Sequence, residues 1–417
     1  MSGVEHAVES VNFKHQTVEA YLSSRVDHYY AVRLQPSWNG EHLVKGCEPE
    51  PGAIILSSND YLALSNHPRI IGAQVDELRR NGRGVLMSDV FRTGESPLRD
   101  FETALARHLG CEESVVCQSG WNANVGLIQS IAEAGTPIYI DMFAHMSLWE
   151  GVTAAGARPI PFRHNHVQSL ESLVRKHGPG YILVDAVYST SGTIAPLEAL
   201  CDVAERHGCA LVVDESHSLG VFGREGEGLV SSLGLSDRVL FRTASLSKAF
   251  CTRGGIIAGP ARVLKYFRYE SRPAIFSSAV MSYEGAALCA TLDVVRASQP
   301  ARMRLADHAR RFREALDGLG YNVDASQCQI VSLVPGEEER TRILRDALEA
   351  RGVFGAIFCA PATPKNKSLV RFSLHAMLSE ADLERIVSAC AEIREEVGMR
   401  EWVSTRRHST QPARRCA

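Results

Sequence analysis

Between about residues 110 and 260, short apolar and β-branched runs alternate with amphipathic segments, the pattern of a mainly parallel sheet covered by helices on both faces. The runs predict strands at Ser114–Cys117, Ile138–Asp141, Ile182–Asp185, Leu211–Asp214, Val239–Thr243 and Gly255–Ala258. The intervening helices have readable ends. Ser96-Pro97 offers an N-cap and a first-turn proline, Leu98, Phe101, Leu105 and Leu109 share one helical stripe, and Gly110 stops it. Val167, Leu170 and Val174 before Gly178, and Leu197, Leu200 and Ala204 before Gly208, repeat the arrangement.

Beyond residue 290 the pattern changes to longer helices, Thr341–Arg351 and Ser379–Val397, around strands at Gln329–Leu333 and Val370–Leu374. This predicts a large domain over residues 54–290 and a smaller α+β domain over 291–398. The first 53 residues hold Pro36, Gly40, Gly46, Pro49 and Pro51 and no core of their own, so they are expected to form an arm with one helix that packs on another body. The last stretch, 399–417, is basic and lacks apolar periodicity, and is expected to be a disordered tail.

Composition narrows the functional classes. With 417 residues and 45% hydrophobic positions, the chain can bury two cores. A net charge of −3, mixed along the chain, gives neither a nucleic-acid groove nor a lipid-binding face. There is no apolar run of membrane-spanning length, and the polar start MSGVEHAVESVNFKHQ is no secretory leader. The expectation is a cytoplasmic protein without membrane insertion or nucleic-acid partners. The eleven cysteines are scattered without zinc-ligand or redox spacing, so they read as small buried hydrophobes and no metal site is expected.

In an open parallel sheet ligands bind beyond the carboxyl ends of the strands, and three such ends are rich in polar residues. The first runs into Gln118-Ser119-Gly120-Trp121-Asn122, a small-residue turn whose amides at a helix start can bind phosphate. Another ends in Asp214-Glu215-Ser216-His217, where a buried acid needs a partner that a pyridinium nitrogen supplies. The third leads into Ser245-Leu246-Ser247-Lys248 and then Arg253-Gly254-Gly255, a lysine among hydroxyls and glycines that suits a Schiff base beside a phosphate. Singly, each has a plainer reading: an ordinary turn, a helix-capping Asp with a surface His, a solvated lysine. Together, at successive strand ends, they have the layout of fold-type I pyridoxal-phosphate (PLP) enzymes.

The resemblance becomes specific in Asn59-Asp60-Tyr61-Leu62 with His67-Pro68, the run Asp214–Gly220, Ser245–Lys248 and Arg371-Phe372-Ser373-Leu374. Over roughly residues 50–397 the chain resembles the α-oxoamine synthases. The strings QSGWNANVGL, YIDMFAHMSLWEG, YSTSGTIAPL, PAIFSS and GVFGAIFCAPATPKNK resemble the CqsA-type subgroup, the α-hydroxyketone autoinducer synthases of quorum sensing. GRGVLMSDVFRTGESPLRD stands where biosynthetic members carry a glycine-serine-rich segment.

That resemblance implies a fold and a set of residue roles. The fold is an aspartate aminotransferase-like α/β fold with a mainly parallel seven-stranded sheet and a smaller α+β C-terminal domain. By the same resemblance, Lys248 holds PLP and moves the proton at the substrate Cα. Asp214 pairs with the ring nitrogen, His217 with the phenolic oxygen, and His145 stacks on the ring. Ser119, Gly120, Trp121 and Ser245 surround the phosphate, with Ser277 or Ser278 reaching over from the second subunit of a homodimer. Ser189 touches the phenolic oxygen or the substrate, and Asn59 and Arg371 hold the substrate carboxylate. The activity implied is decarboxylating condensation of an acyl-CoA with an amino acid or S-adenosylmethionine. Two alternatives stay open: a biosynthetic α-oxoamine synthase (of 8-amino-7-oxononanoate synthase or serine palmitoyltransferase type), and a non-catalytic regulatory subunit, which would lack the lysine.

Overall fold

The computed structural model describes residues 17–34 and 40–405. A short first strand, β1 (Ile54–Leu56), is followed by the strands of the main sheet: β2 (Glu113–Cys117), β3 (Ile138–Asp141), β4 (Pro159–Phe162), β5 (Tyr181–Asp185), β6 (Ala210–Asp214), β7 (Phe241–Ser245) and β8 (Gly255–Gly259). They lie in the order β2-β8-β7-β6-β5-β3-β4. From β4 to β7 every pairing is parallel, and β8 runs antiparallel to both β7 and β2. The seven-stranded, mainly parallel sheet expected from the resemblance is therefore present.

Period-two alternation explains why the central strands read as unbroken apolar runs. Ile138, Ile140, Leu183 and Val212 point into the core on one face, and Tyr139, Ile182, Val184, Leu211 and Val213 into the core on the other. Both faces are covered, so no polar alternation is left in the sequence. Helix ends follow local chemistry: the Ser96 side chain accepts from the Arg99 N–H at 3.3 Å at the start of the helix Pro97–Leu109, and Gly110 closes it with φ 68°.

The expected strands Gln329–Leu333 and Val370–Leu374 fall at Ile330–Gly336 and Ser368–Ser373, and in the main sheet two strand readings change. β4, Pro-Ile-Pro-Phe, was not expected, because its prolines hide it; it is an edge strand, where a missing N–H is tolerated. β7 begins at Phe241 rather than Val239 and reaches Ser245, since Ala244 and Ser245 pair with Ile256 and Gly255 across the ladder. Ladder pairing, not side-chain hydrophobicity, sets that end.

The remaining strands, β9 (Ile330–Gly336), β10 (Val353–Phe358) and β11 (Ser368–Ser373), form a second sheet in the order β1-β10-β11-β9, with β10 antiparallel to β11. By contact the chain divides into two compact units. One comprises the residues up to Ile55, Leu333–Arg371 and those from Ser388 onward; the other comprises Leu56–Ser332 and Phe372–Val387. This division is interleaved, unlike the linear boundary expected near residue 290, which falls within the helix Ser282–Ala297. That helix packs on the helices Pro68–Asn81 and Pro97–Leu109, contacts that helical periodicity cannot reveal.

In the smaller unit, the segment around residues 43–47 is tied down by the helix Glu338–Glu349. Arg345 donates to the carbonyls of Leu43 and Lys45, both at 2.5 Å, and Glu349 accepts from the Cys47 N–H at 2.9 Å. At the other end, Met399–Glu401 forms a turn of 3₁₀ helix and Trp402 is buried, its indole N–H donating to the Val397 carbonyl at 3.1 Å. The expected disordered tail therefore starts too early at 399; residues 406–417 lie outside those described. Among the described cysteines, Cys117, Cys201, Cys328, Cys359 and Cys390 are buried, Cys111, Cys209, Cys251 and Cys289 are intermediate, and Cys47 is exposed, which corrects the reading of all as buried.

Behind the active strand ends lies a buried ion pair. Arg242 on β7 and Glu215, just past β6, are 1% and 2% exposed. The Arg242 Nε–H donates to Glu215 Oε2 at 2.6 Å, and its other donors reach the Leu109 and Glu227 carbonyls and Ser231 Oγ. Glu215 also accepts from Ser218 Oγ at 2.8 Å and the Val230 N–H at 3.0 Å. With both charges satisfied, removing one strands the other. Glu215→Ala is expected to cost about 3–5 kcal/mol of stability. The Glu215→Leu, Arg242→Met double variant should cost less than the sum of its single changes, as measured by denaturant unfolding.

Candidate active site

The carboxyl ends of β2, β3, β5, β6 and β7 surround a cavity of about 230 Å³, lined by Ser119, Gly120, Trp121, Asn124, His145, Ser147, Asp185, Val187, Asp214, Ser216, His217, Ser245 and Lys248. Of the residues expected at the site, Ser119, Gly120, Trp121, His145, Asp214, His217, Ser245 and Lys248 meet here. Every one belongs to the larger unit.

Each is placed by its element. Ser119 caps the helix Gly120–Ile131, accepting from the Asn122 N–H at 3.1 Å. The turn lies flat against β7 and β8: a Cβ on Gly120 would sit 2.9 Å from Ser245 Cα, and one on Gly255 would sit 2.3 Å from the Ser119 carbonyl carbon. Only glycine permits this approach, and it brings the first turn of the helix, with its unpaired amides, to the cavity wall beside Ser245. Ser245 and Ser247 hydroxyls are 2.7 Å apart, and Lys248 follows in the turn after β7.

Asp214 closes β6, 5% exposed, and accepts from the Asn124 side-chain amide at 2.7 Å and the Ser216 N–H at 2.8 Å. His217 is buried, its Nδ1 2.6 Å from the Tyr61 hydroxyl, and its carbonyl accepts from Gln329 at 3.0 Å. His145 caps the helix Met146–Ala154; its ring lies edge-on to Trp121, and its Nδ1 is 2.7 Å from Ser147 Oγ.

A second acid stands beside Asp214. Asp185 ends β5 in register with Asp214, and its Oδ1 accepts from the His145 N–H at 3.1 Å. Burial, and then the neighbouring Asp214 and Asp141 carboxylates, push the Asp185 carboxyl well above the usual range.

The other expected residues lie elsewhere. Ser189 is half-buried in the turn after β5, where the Tyr188 N–H donates to the Thr193 carbonyl at 3.0 Å. Ser277 donates to the Pro273 carbonyl at 2.5 Å, and Ser278 bridges to Ser88 while its carbonyl accepts from Gln118 at 3.0 Å. Asn59 Oδ1 accepts from the Tyr61 hydroxyl at 3.2 Å. Arg371 belongs to the smaller unit, buried on β11 with its guanidinium 4.7 Å from the Phe358 ring centre. None of these five lines the cavity.

Sequence reasoning missed Asn124, Ser147, Asp185, Val187 and Ser216. The strand-end rule that selected Asp214 applied equally to Asp185. Asn124, one turn into the helix after Gly120, carried no separate signal.

A lysine, an acid at a neighbouring strand end, an imidazole and a helix N-terminus around one cavity define the class: a fold-type I PLP-dependent transferase. The aminotransferase class I and II family model matches residues 51–389. The CAI-1 autoinducer synthase of Vibrio campbellii is 43% identical over 91% of this chain and 96% of its own length. The 8-amino-7-oxononanoate synthase of Coprothermobacter proteolyticus is 32% identical over 82% of this chain and 88% of its own length. Among solved structures, a Sphingomonas wittichii serine palmitoyltransferase, 25% identical, superposes with a TM-score of 0.83 over 92% of this chain and 99% of its own. The chain belongs to the aminotransferase class I and II family, in its α-oxoamine synthase branch, and its cofactor is PLP.

The raised Asp185 pKa fixes a sign for pH dependence. A carboxyl that holds its proton more tightly when folded contributes stability that is complete below its unfolded value and is lost as pH rises through the folded one. Asn at 185 has no proton to lose. The melting temperature of Asp185→Asn, relative to the unsubstituted protein, should therefore rise as pH is raised from acid; a difference independent of pH would refute the assignment.

Proposed function

We propose that this protein is an acyl-CoA:amino acid C-acyltransferase. It joins a medium-chain acyl-CoA to 2-aminobutyrate or S-adenosylmethionine, releasing CoA and carbon dioxide, and makes the precursor of an α-hydroxyketone signal: an α-aminoketone from 2-aminobutyrate, or an enaminone from S-adenosylmethionine once its sulfonium group is eliminated as methylthioadenosine. The observation that carries this is Lys248 in one cavity with Asp214, His217 and His145, in a chain 43% identical to a CAI-1 autoinducer synthase.

When bound, PLP supplies the electron sink that makes a carbanion at the amino-acid Cα accessible. The residues do the rest. The glycine-bounded turn at Ser119, Gly120 and Trp121 offers helix-terminal amides to the phosphate, with the Ser245 hydroxyl beside them. Asp214, held by two N–H donors, is a fixed acceptor for the proton of the ring nitrogen. His145 offers its face to the ring, and His217 a hydrogen bond to the phenolic oxygen, its orientation set by Tyr61. Ser189, two residues beyond the cavity-lining Val187, touches the phenolic oxygen or the substrate. Lys248 holds the cofactor and, once displaced by the amino donor, takes the Cα proton and later returns one to the condensed product. Asn59 binds the substrate carboxylate, whose loss as carbon dioxide follows release of CoA.

The working form is a homodimer in the cytoplasm, Ser277 or Ser278 meeting the second subunit's phosphate site. Val85, Leu86, Phe91 and Phe276 are 69–81% exposed in the single chain. Their segments run side by side, with the Ala279 N–H donating to the Met87 carbonyl at 2.8 Å. Such an apolar patch beside those serines suits a second copy. No helix among the described residues is long and apolar enough to cross a membrane. A second reading, a biosynthetic α-oxoamine synthase, is favoured by the 32% identity to an 8-amino-7-oxononanoate synthase.

Carboxyl-labelled 2-aminobutyrate with a medium-chain acyl-CoA should send its label to carbon dioxide with equimolar release of CoA, and Lys248→Ala should abolish both. Label kept in a keto acid would mean transamination, and label lost only from glycine, serine or alanine would favour the biosynthetic branch. For the dimer, Phe276→Asp should shift the mass in solution to that of one chain and weaken cofactor binding; unchanged mass and binding would refute the interface.

A further inference from the structure

Three buried side chains beside Asp214, those of Thr243, Asn124 and Ser147, form a hydrogen-bonded chain that ends on the exposed His145. Thr243, in register with Asp214 on the adjacent strand β7, donates its hydroxyl to Asn124 Oδ1 at 2.6 Å. The hydroxyl could donate or accept, but the Asp214 oxygen on the other side accepts, so the amide turns its NH₂ group there and its oxygen to Thr243. The NH₂ group donates to Asp214 Oδ2 at 2.7 Å and to Ser147 Oγ at 2.8 Å. Ser147 Oγ accepts from Asn124 and lies 2.7 Å from His145 Nδ1, with its own hydrogen available to that nitrogen. The Ser147 N–H also points at that nitrogen, 3.3 Å away. His145 Nδ1 thus accepts, and the ring proton sits on Nε2.

Thr243, Asn124 and Ser147 are 0–1% exposed, so no water substitutes for a lost partner. Resting on the PLP reading of the site, we infer that Asn124 is a positioning residue: one side-chain amide, braced on its oxygen by the Thr243 hydroxyl, holds Asp214 as an acceptor and, through Ser147, sets the tautomer of His145. The groups that meet the ring nitrogen and the ring face are then fixed by the same side chain. Its neutrality matters as much as its donors. The titratable groups around Asp214 are Asp185 from β5, His217 in its own loop, His145 before the helix Met146–Ala154 and Lys248 after β7. A carboxylate at position 124 would add a third acid to Asp185 and Asp214, whereas an apolar residue would leave Asp214, Thr243 and Ser147 short of a partner.

The test reads the cofactor directly. A protonated ring nitrogen withdraws electrons from the lysine–cofactor link and lowers its pKa, so loosening Asp214 raises it. In the PLP-loaded dimer, Asn124→Ala should keep the visible absorbance of the lysine link but move its pH midpoint upward by about one unit. kcat/KM should fall on the order of tenfold. Thr243→Val, which replaces one hydroxyl by a methyl, should move the midpoint the same way and carries the test if Asn124→Ala fails to fold. Thr243→Ser, which keeps the donor, should restore the midpoint. An unmoved midpoint with the absorbance intact in Thr243→Val overturns the relay and leaves the PLP reading standing. Absence of that absorbance from the unsubstituted protein overturns both.

Discussion

The buried pair between Glu215 and Arg242 is the constraint on which the site depends. Glu215 belongs to the loop that carries Asp214, Ser216 and His217, and Arg242 to the strand that leads to Ser245 and Lys248. Their contact fastens the two chemical segments back to back, and the backbone follows it: the Glu215 N–H donates to the Thr243 carbonyl at 2.7 Å, and the Ser245 N–H to Ser216 Oγ at 2.8 Å. An ion pair this deep gains little net stability over apolar packing, but its geometry is exacting, because either charge alone is intolerable there. Position, more than stability, is what it supplies.

In front of that pair the strand ends present acids in a row, Asp141, Asp185 and Asp214, on β3, β5 and β6. Charges so close compete, and the structure separates their roles by the donors each receives. Asp214 takes two N–H groups, one of them from Asn124. Asp141 is bound by the Phe143 and Asn165 N–H groups and lies 3.0 Å from His164 Nδ1. Asp185 takes the His145 N–H and is pushed toward its neutral form. Pushing the middle acid of the row toward its neutral form lowers the repulsion along it.

Likeness to known proteins and the geometry of the site bear on different questions. Likeness to serine palmitoyltransferase structures speaks to the scaffold, which many chemistries can share. The cavity speaks to the cofactor, since its lysine, acid and helix N-terminus are the parts a pyridine phosphate aldehyde requires. The 43% identity to a CAI-1 autoinducer synthase bears on which member of the branch the chain resembles.

Much of this was legible in the chain. Unbroken apolar runs marked β2, β3, β5, β6 and β8, because strands covered on both faces have no polar side. Polar residues clustered at or just beyond the carboxyl ends of β2, β6 and β7 marked Ser119, Asp214 and Lys248, because a parallel sheet exposes ligand only at its carboxyl edge. Motif resemblance added His145 and His217, which spacing alone does not distinguish from surface imidazoles. Tertiary structure decided the rest: β4 as an edge strand that tolerates its prolines, Trp402 as a core residue, and the packing of the helix Ser282–Ala297 with the larger unit. It alone brought Asn124, Ser147 and Thr243 together, residues far apart in sequence whose meaning is one another. Local patterns encode which face of an element is buried; which hydroxyl meets which amide depends on strand register and helix packing, and those exist only once the chain has folded.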